Sequence, residues 1–277
     1  MANVLVLTGA SEKADGDLPR LLYTNDLATA TLTPSSTASG SSSAYLVDDR
    51  LDRAWQSTSA TTHTITATFA TSETVSAAAI HGHNIGSFAG NTVLVEAVLS
   101  SGGGWVTLVA GVALTGSRTF YRAFTAVEVD QLRFTITTTA ASEIAIAALA
   151  CGLDFECERG LQAGWSDPLT GRMPTTRPAT SRNGTPLPST ITDATVSQTF
   201  ALSNCSQDWM FDYWFPFQRA CDGGAKPCFL SWGPSTYPDR ACYCSGIKFS
   251  GTEFSQKGFV DVGFQARMDA ETGWVQS

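Results

Sequence analysis

Charge is scarce in this chain of 277 residues, at 15% Asp, Glu, Lys and Arg together, and no run of lysine or arginine occurs in it. The balance is acidic, with a formal net charge of −8. The electrostatic footprint of a protein that tracks a phosphate backbone is therefore missing, and no nucleic acid is expected as a partner. Histidine is nearly missing as well, with three in all, and there is neither a G-x-S-x-G sequence nor a paired-carboxylate setting of the glycosidase kind. Acid–base and nucleophilic catalysis have little to work with, so the expectation is a protein that is not an enzyme. Long apolar runs are also lacking: residues 4–7 have no basic residue before them and an acidic segment after them. They make neither a signal peptide nor a membrane span, and folding in the cytoplasm is expected.

What fills the chain is Ser, Thr, Ala and Gly beside an ordinary 43% of hydrophobic residues, a composition of short strands and turns. A mainly β protein of two domains follows. Residues 1–24 are expected to be an extended lead-in. In residues 25–154, apolar runs at 28–32, 63–69, 75–80, 92–99, 105–109, 120–129, 132–138 and 144–151 are separated by turn residues with no helical stretch among them, which predicts an antiparallel β-sandwich. Residues 155–192 hold Pro168, Pro174, Pro178, Pro186 and Pro188 with Arg172, Arg177 and Arg182, which predicts an extended connecting arm lying on a partner. Residues 193–277 form the second domain. There the strand 195–202 precedes an aromatic helix in 207–221, capped by Ser206 or Asn204, kinked at Pro216 and stopped at Asp222-Gly223-Gly224. Strands at 227–232, 241–250 and 258–268 close the pattern.

Several residues are candidate ligands. His81 and His83 stand two apart on a strand, so both point to one face and could grip a metal, or they could bond backbone where Gly82 and Asn84 shape a turn. Asp48 and Asp49 suit either part of a calcium loop or an Asp-capped turn. Trp55, Trp105 and Tyr121 could stack on sugar rings if exposed, or pack as core. Cys221, Cys228, Cys242 and Cys244 form the sharpest cluster among seven cysteines. They suit zinc, an iron–sulfur cluster, disulfides formed outside the cell, or buried free thiols. Cys151 and Cys157 suggest a separate pair near the domain junction.

Two resemblances rest on these residues. In 25–154, a serine-rich loop, then Leu46-Val47-Asp48-Asp49 and Trp55, an alternating strand, an apolar strand ending in Gly82-His83-Asn84, a V-x-V strand and Trp105 resemble the discoidin (F5/8 type C, galactose-binding-like) jelly roll. That likeness implies a ligand side near Asp48, Asp49, Trp55, His81, His83 and Asn84, with calcium in the sandwich and host surface carbohydrate as the ligand. In the second domain, Phe200-Ala201-Leu202, the aromatic helix, and the strands at 227–232, 243–249 and 259–267 resemble bacteriophage tail-tip and distal-tail (baseplate) proteins, whose core is similar to a tail tube. This implies a virion structural subunit, assembled in the host cytoplasm, that forms a ring with other copies of itself between tail tube and hub proteins.

Overall fold

The computed structural model describes residues 18–162, 165, 167–168, 175–183, 185–193, 196–234, 239–256 and 258–269. The lead-in before Leu18, Arg172, Pro174 and Thr195 lie outside them. Among the described residues the chain is mainly β. The strands are β1 (Arg20–Leu22), β2 (Thr31–Pro34), β3 (Trp55–Gln56), β4 (Ala60–His83), β5 (Thr92–Leu99), β6 (Val106–Val112), β7 (Phe120–Ser142), β8 (Ala145–Gly152) and β9 (Asp154–Glu156). They continue with β10 (Thr175–Thr180), β11 (Pro186–Asp193), β12 (Val196–Ser206), β13 (Cys228–Ser231), β14 (Ala241–Phe249), β15 (Glu253–Gln256) and β16 (Phe259–Asp269).

The sandwich is built on two long strands. Residues 63–69 and 75–80, expected as separate strands, are one 24-residue strand, β4, and 120–129 and 132–138 are likewise one, β7. Between the two halves of β4 lies Ala70-Thr71-Ser72-Glu73-Thr74, which holds no Gly, Pro, Asn or Asp, so nothing there turns the chain back. The chain instead bends, with a register shift between Thr68 and Glu73, and passes from one layer to the other. Its first half pairs with β2 and the end of β7; its second half pairs with the start of β7 and with β8. β5 and β6 extend the first layer and β3 the second. Ile65, Val75, Ile80, Val95, Phe124, Phe134, Ile146 and Trp55 fill the space between the layers. The strand expected at 28–32 lies slightly later, as β2, after a short 3-10 turn Asp26–Ala28.

The second sheet runs β12-β16-β14-β13-β1-β9, with β15 beside β16. β1 and β9 flank the sandwich in sequence, yet both lie in this sheet and pair with each other antiparallel. The sandwich therefore interrupts the second unit between two neighbouring strands, and residues 20–22 are no separate lead-in. Its helical segment starts at Ser206, whose Oγ accepts a hydrogen bond from the Trp209 amide at 3.2 Å. The kink expected at Pro216 is replaced by a wider π turn, Met210–Trp214, between α1 (Gln207–Trp209) and α2 (Phe215–Ala220). Proline lacks the N–H of the α ladder and its ring crowds the carbonyl four residues back; the π turn accommodates both. The arm is also different from expectation: β10 and β11 form a two-stranded ribbon, whose register shift between Arg177 and Ala179 falls at Pro178. A bulge on an unextended ribbon is where a strand tolerates proline.

The two units meet face to face. Ala77, Ala79, Ala148, Ala150 and Tyr121 of the sandwich pack against Leu22, Phe229, Ala241 and Tyr243 of the second sheet. The small-residue run before His81 is thus buried on both faces, and alanine lets the second sheet approach. Overpacking should be costly there. Ala79→Leu is expected to lower unfolding free energy by roughly 1–3 kcal/mol in a denaturant titration, and an unchanged midpoint would contradict the close contact.

Candidate functional site

The residues marked in the sandwich hold the fold. Trp55 is fully buried and its indole N–H donates to Thr37 Oγ1 at 3.2 Å, so it offers no ring to a sugar. His81 is buried, with Nδ1 at 2.7 Å from Thr119 Oγ1 and its ring stacked on Tyr243 at 5.1 Å. His83 is buried too, with Nε2 at 2.7 Å from the Arg118 carbonyl, and its Nδ1 accepts from the Ile85 amide at 3.3 Å. Asn84 accepts from the Ala145 amide at 2.9 Å and donates to the Glu143 carbonyl at 3.0 Å, tying its loop to β8. Gly86 completes that loop: a Cβ there would collide with the Gly116 backbone. Asp48 caps a turn by accepting from the Arg50 amide at 3.1 Å, and Asp49 has a φ of 58°.

The four C-terminal cysteines do converge. Cys228 sits opposite Cys244 across β13 and β14, and the Cys242 and Cys244 sulfurs are 3.7 Å apart. All seven cysteines are free and buried. Burial pushes the thiols of Cys228 and Cys242 well up and that of Cys221 up to about 12. Burial opposes ionisation at Cys244 as well, but hydrogen bonds from Cys228 and Cys242 hold its thiol below its neighbours. Among the described residues no group of three or more His, Cys, Asp or Glu is disposed to hold a metal ion. Zinc, an iron–sulfur cluster and calcium remain expectations of the sequence. Cys151 and Cys157 are no pair: one belongs to the sandwich core and the other to the core of the second unit.

Among the described residues a concave site lies at the edge of the junction. A cleft of about 340 Å³ is lined by Leu18, Arg20, Ser76, Leu153, Asp154, Phe155, Glu156, Glu158, Trp209 and Tyr213 among others. Arg20 faces Glu156 across β1 and β9, and Asp154 lies two residues along on the same face. Its Nε donates to Asp154 Oδ2 at 2.6 Å and its Nη1 to Glu156 Oε2 at 2.5 Å. Two groups of the sandwich complete the network. Ser76 Oγ donates to Asp154 Oδ1 at 2.5 Å, and the Tyr121 hydroxyl donates to Oδ2 at 3.0 Å. Burial, then the nearby carboxylate, push the Tyr121 phenol well up, so it stays a donor. The aromatic wall comes from the helical segment. Tyr213 is 47% exposed and stacks on Phe155 at 6.2 Å and on Trp209 at 6.3 Å. Leu153, 43% exposed, adds an apolar lip.

Sequence reasoning missed this site because its residues fall in five separate segments of the chain, at 18–20, 76, 124–126, 153–158 and 209–213. The available signal was charge: Arg20 among Pro and Leu, and the alternation Asp154-Phe155-Glu156, put ionised groups into runs that are otherwise apolar.

Comparison with known proteins bears on the sandwich. A family model described as anaphase-promoting complex, subunit 10 (APC10), matches residues 12–87. The matched segment spans less than half of the chain and takes in the first strands of the β-sandwich. Among solved structures, a Ruminococcus gnavus GH29 fucosidase in complex with fucose is similar at 18% identity and a TM-score of 0.40, over 49% of this chain and 27% of that one. Chitosan-binding module 1 of a Paenibacillus sp. IK-5 chitosanase/glucanase is similar at 17% identity and a TM-score of 0.40, over 46% of this chain and 98% of the module. A Clostridium perfringens CBM32 module is similar at 18% identity and a TM-score of 0.37, over 47% of this chain and 100% of the module. The chain matches about a quarter of the fucosidase's length. No curated protein matches the sequence. No helix of the described residues is long and apolar enough to cross a membrane.

His83 yields a pH prediction. Burial lowers its pKa from 6.5 to about 4, partly opposed by the Arg118 carbonyl. The unfolded imidazole takes up a proton first, so stability is full above pH 6.5 and is lost as pH falls from there toward 4. The loss is on the order of 3 kcal/mol. Denaturation of the parent and of His83→Gln across that window should show the steeper fall in the parent; parallel curves would contradict the assignment.

Proposed function

We propose that the protein is a non-catalytic glycan-binding module whose ligand sits in the junction cleft. The observation that carries this is the half-exposed Tyr213 ring at the cleft mouth, backed by Phe155 and Trp209 and flanked by the Glu156 and Glu158 carboxylates. A pyranose presents C–H faces that pack on an aromatic ring and hydroxyls that donate to carboxylates, so it matches both parts of this wall. The volume of about 340 Å³ falls in the range of small-molecule sites. Host surface carbohydrate is the ligand class this supports. Screening the full chain on a glycan array, followed by calorimetry of the best binder, tests it. Tyr213→Ala should weaken that binder roughly tenfold or more, and unchanged affinity would remove the cleft from consideration.

A second role, a tail-tip or baseplate subunit that assembles into a ring with copies of itself beside tail tube and hub proteins, is favoured by one feature. Phe211, 59% exposed, stacks on Phe215 at 5.6 Å on the outer side of the helical segment, an apolar pair suited to an interface. Light scattering of the purified chain tests it: a ring that Phe211→Ser breaks into monomers supports assembly, and a parent protein that stays monomeric argues against it.

A further inference from the structure

The charges of the cleft say more about its occupant. Three carboxylates, Asp154, Glu156 and Glu158, line it against one guanidinium, Arg20. That guanidinium is already committed. Its Nε and Nη2 lie 2.6 and 3.4 Å from the two oxygens of Asp154, its Nη1 lies 2.5 Å from Glu156, and its side chain is only 5% exposed. It has no free fork to clamp the carboxylate of an acidic sugar. Arg159, which follows Glu158 in the sequence, donates to the Asn204 carbonyl at 3.1 Å. Asp154 is fully buried and its oxygens are taken by Arg20, Ser76 and Tyr121. The acceptors a ligand meets are therefore those of Glu156, 27% exposed and bound to Arg20 through Oε2, and of Glu158, whose Oε2 takes the Ser206 amide at 2.5 Å.

Resting on the glycan assignment above, we infer that the cleft selects amine-bearing sugars: glucosamine-type residues with a protonated amino group, over neutral N-acetylated or acidic ones. An ammonium gives charge-assisted hydrogen bonds to Glu156 and Glu158, which are shorter and stronger than those of a hydroxyl or an amide. The exposed Tyr213 face attracts a cation through its ring quadrupole. The net charge of −8 adds a long-range field of the same sign. A galacturonate-type ligand meets the opposite of each term, with like charges facing in a partly water-excluded space.

Calorimetry of the full chain with three soluble probes tests this: glucosamine oligomers, N-acetylglucosamine oligomers and galacturonate oligomers. The glucosamine oligomer should bind roughly tenfold more tightly than its N-acetylated counterpart. That advantage should shrink at about 0.5 M NaCl and in Glu158→Gln, with the N-acetylated affinity little changed. A thermal melt of Glu158→Gln checks that it folds, and the comparison of probes on the parent protein stands without it. Equal or tighter binding of the N-acetylated or acidic oligomer, still lost in Tyr213→Ala, would overturn the amine preference and leave the glycan cleft intact. Binding of none of the three would overturn the amine preference and leave the glycan reading to the array, and binding that Tyr213→Ala leaves unchanged would overturn both.

Discussion

A buried guanidinium between two carboxylates sets the geometry on which the rest of this molecule depends. Arg20 and Asp154 come from adjacent strands that enter and leave the sandwich, and Asp154 reaches back to Ser76 and Tyr121 within it. Desolvating these charges is expensive, and removing one partner would strand the other at a cost of about 3–5 kcal/mol. The arrangement persists only while every partner is in place. The network therefore fixes how the sandwich is seated on the second sheet, and the alanine face with Tyr243 and Phe229 fills the space beneath.

The cleft is a by-product of that seating. Asp154 and Glu156 form its floor because they bind Arg20, while the helical segment leans Trp209 and Tyr213 over Phe155 to form its wall. The Trp209 amide donates to Ser206 Oγ, and the Ser206 amide in turn donates to Glu158, so the acidic rim and the aromatic wall are tied to one another. A ligand would meet a preorganised surface with little left to order on binding.

Much of the architecture was legible because periodicity and turn residues are local. Strands β5, β14 and β16, the Ser206 cap and the aromatic helix follow from patterns within a dozen residues. Three features were not legible for the same reason. The bend in β4 has no turn residue to mark it; the π turn before Pro216 is one of several ways to absorb a proline; and the pairing of β1 with β9 joins residues about 130 positions apart, as Arg20 and Asp154 are in sequence. The site suffered most. Trp55, His81 and His83 have the chemistry of ligand contacts but are consumed by the core, whereas Tyr213, which looked like one more helix aromatic, is among those left half in solvent.

The most direct measurement is a crystal structure of the full chain soaked with a glucosamine oligomer. The expected result is a sugar ring against Tyr213 with its amino nitrogen within hydrogen-bond distance of Glu156 or Glu158. A sugar seated instead on the sandwich loops around Asp48 and Asp49, with the junction cleft filled by water alone, would contradict it.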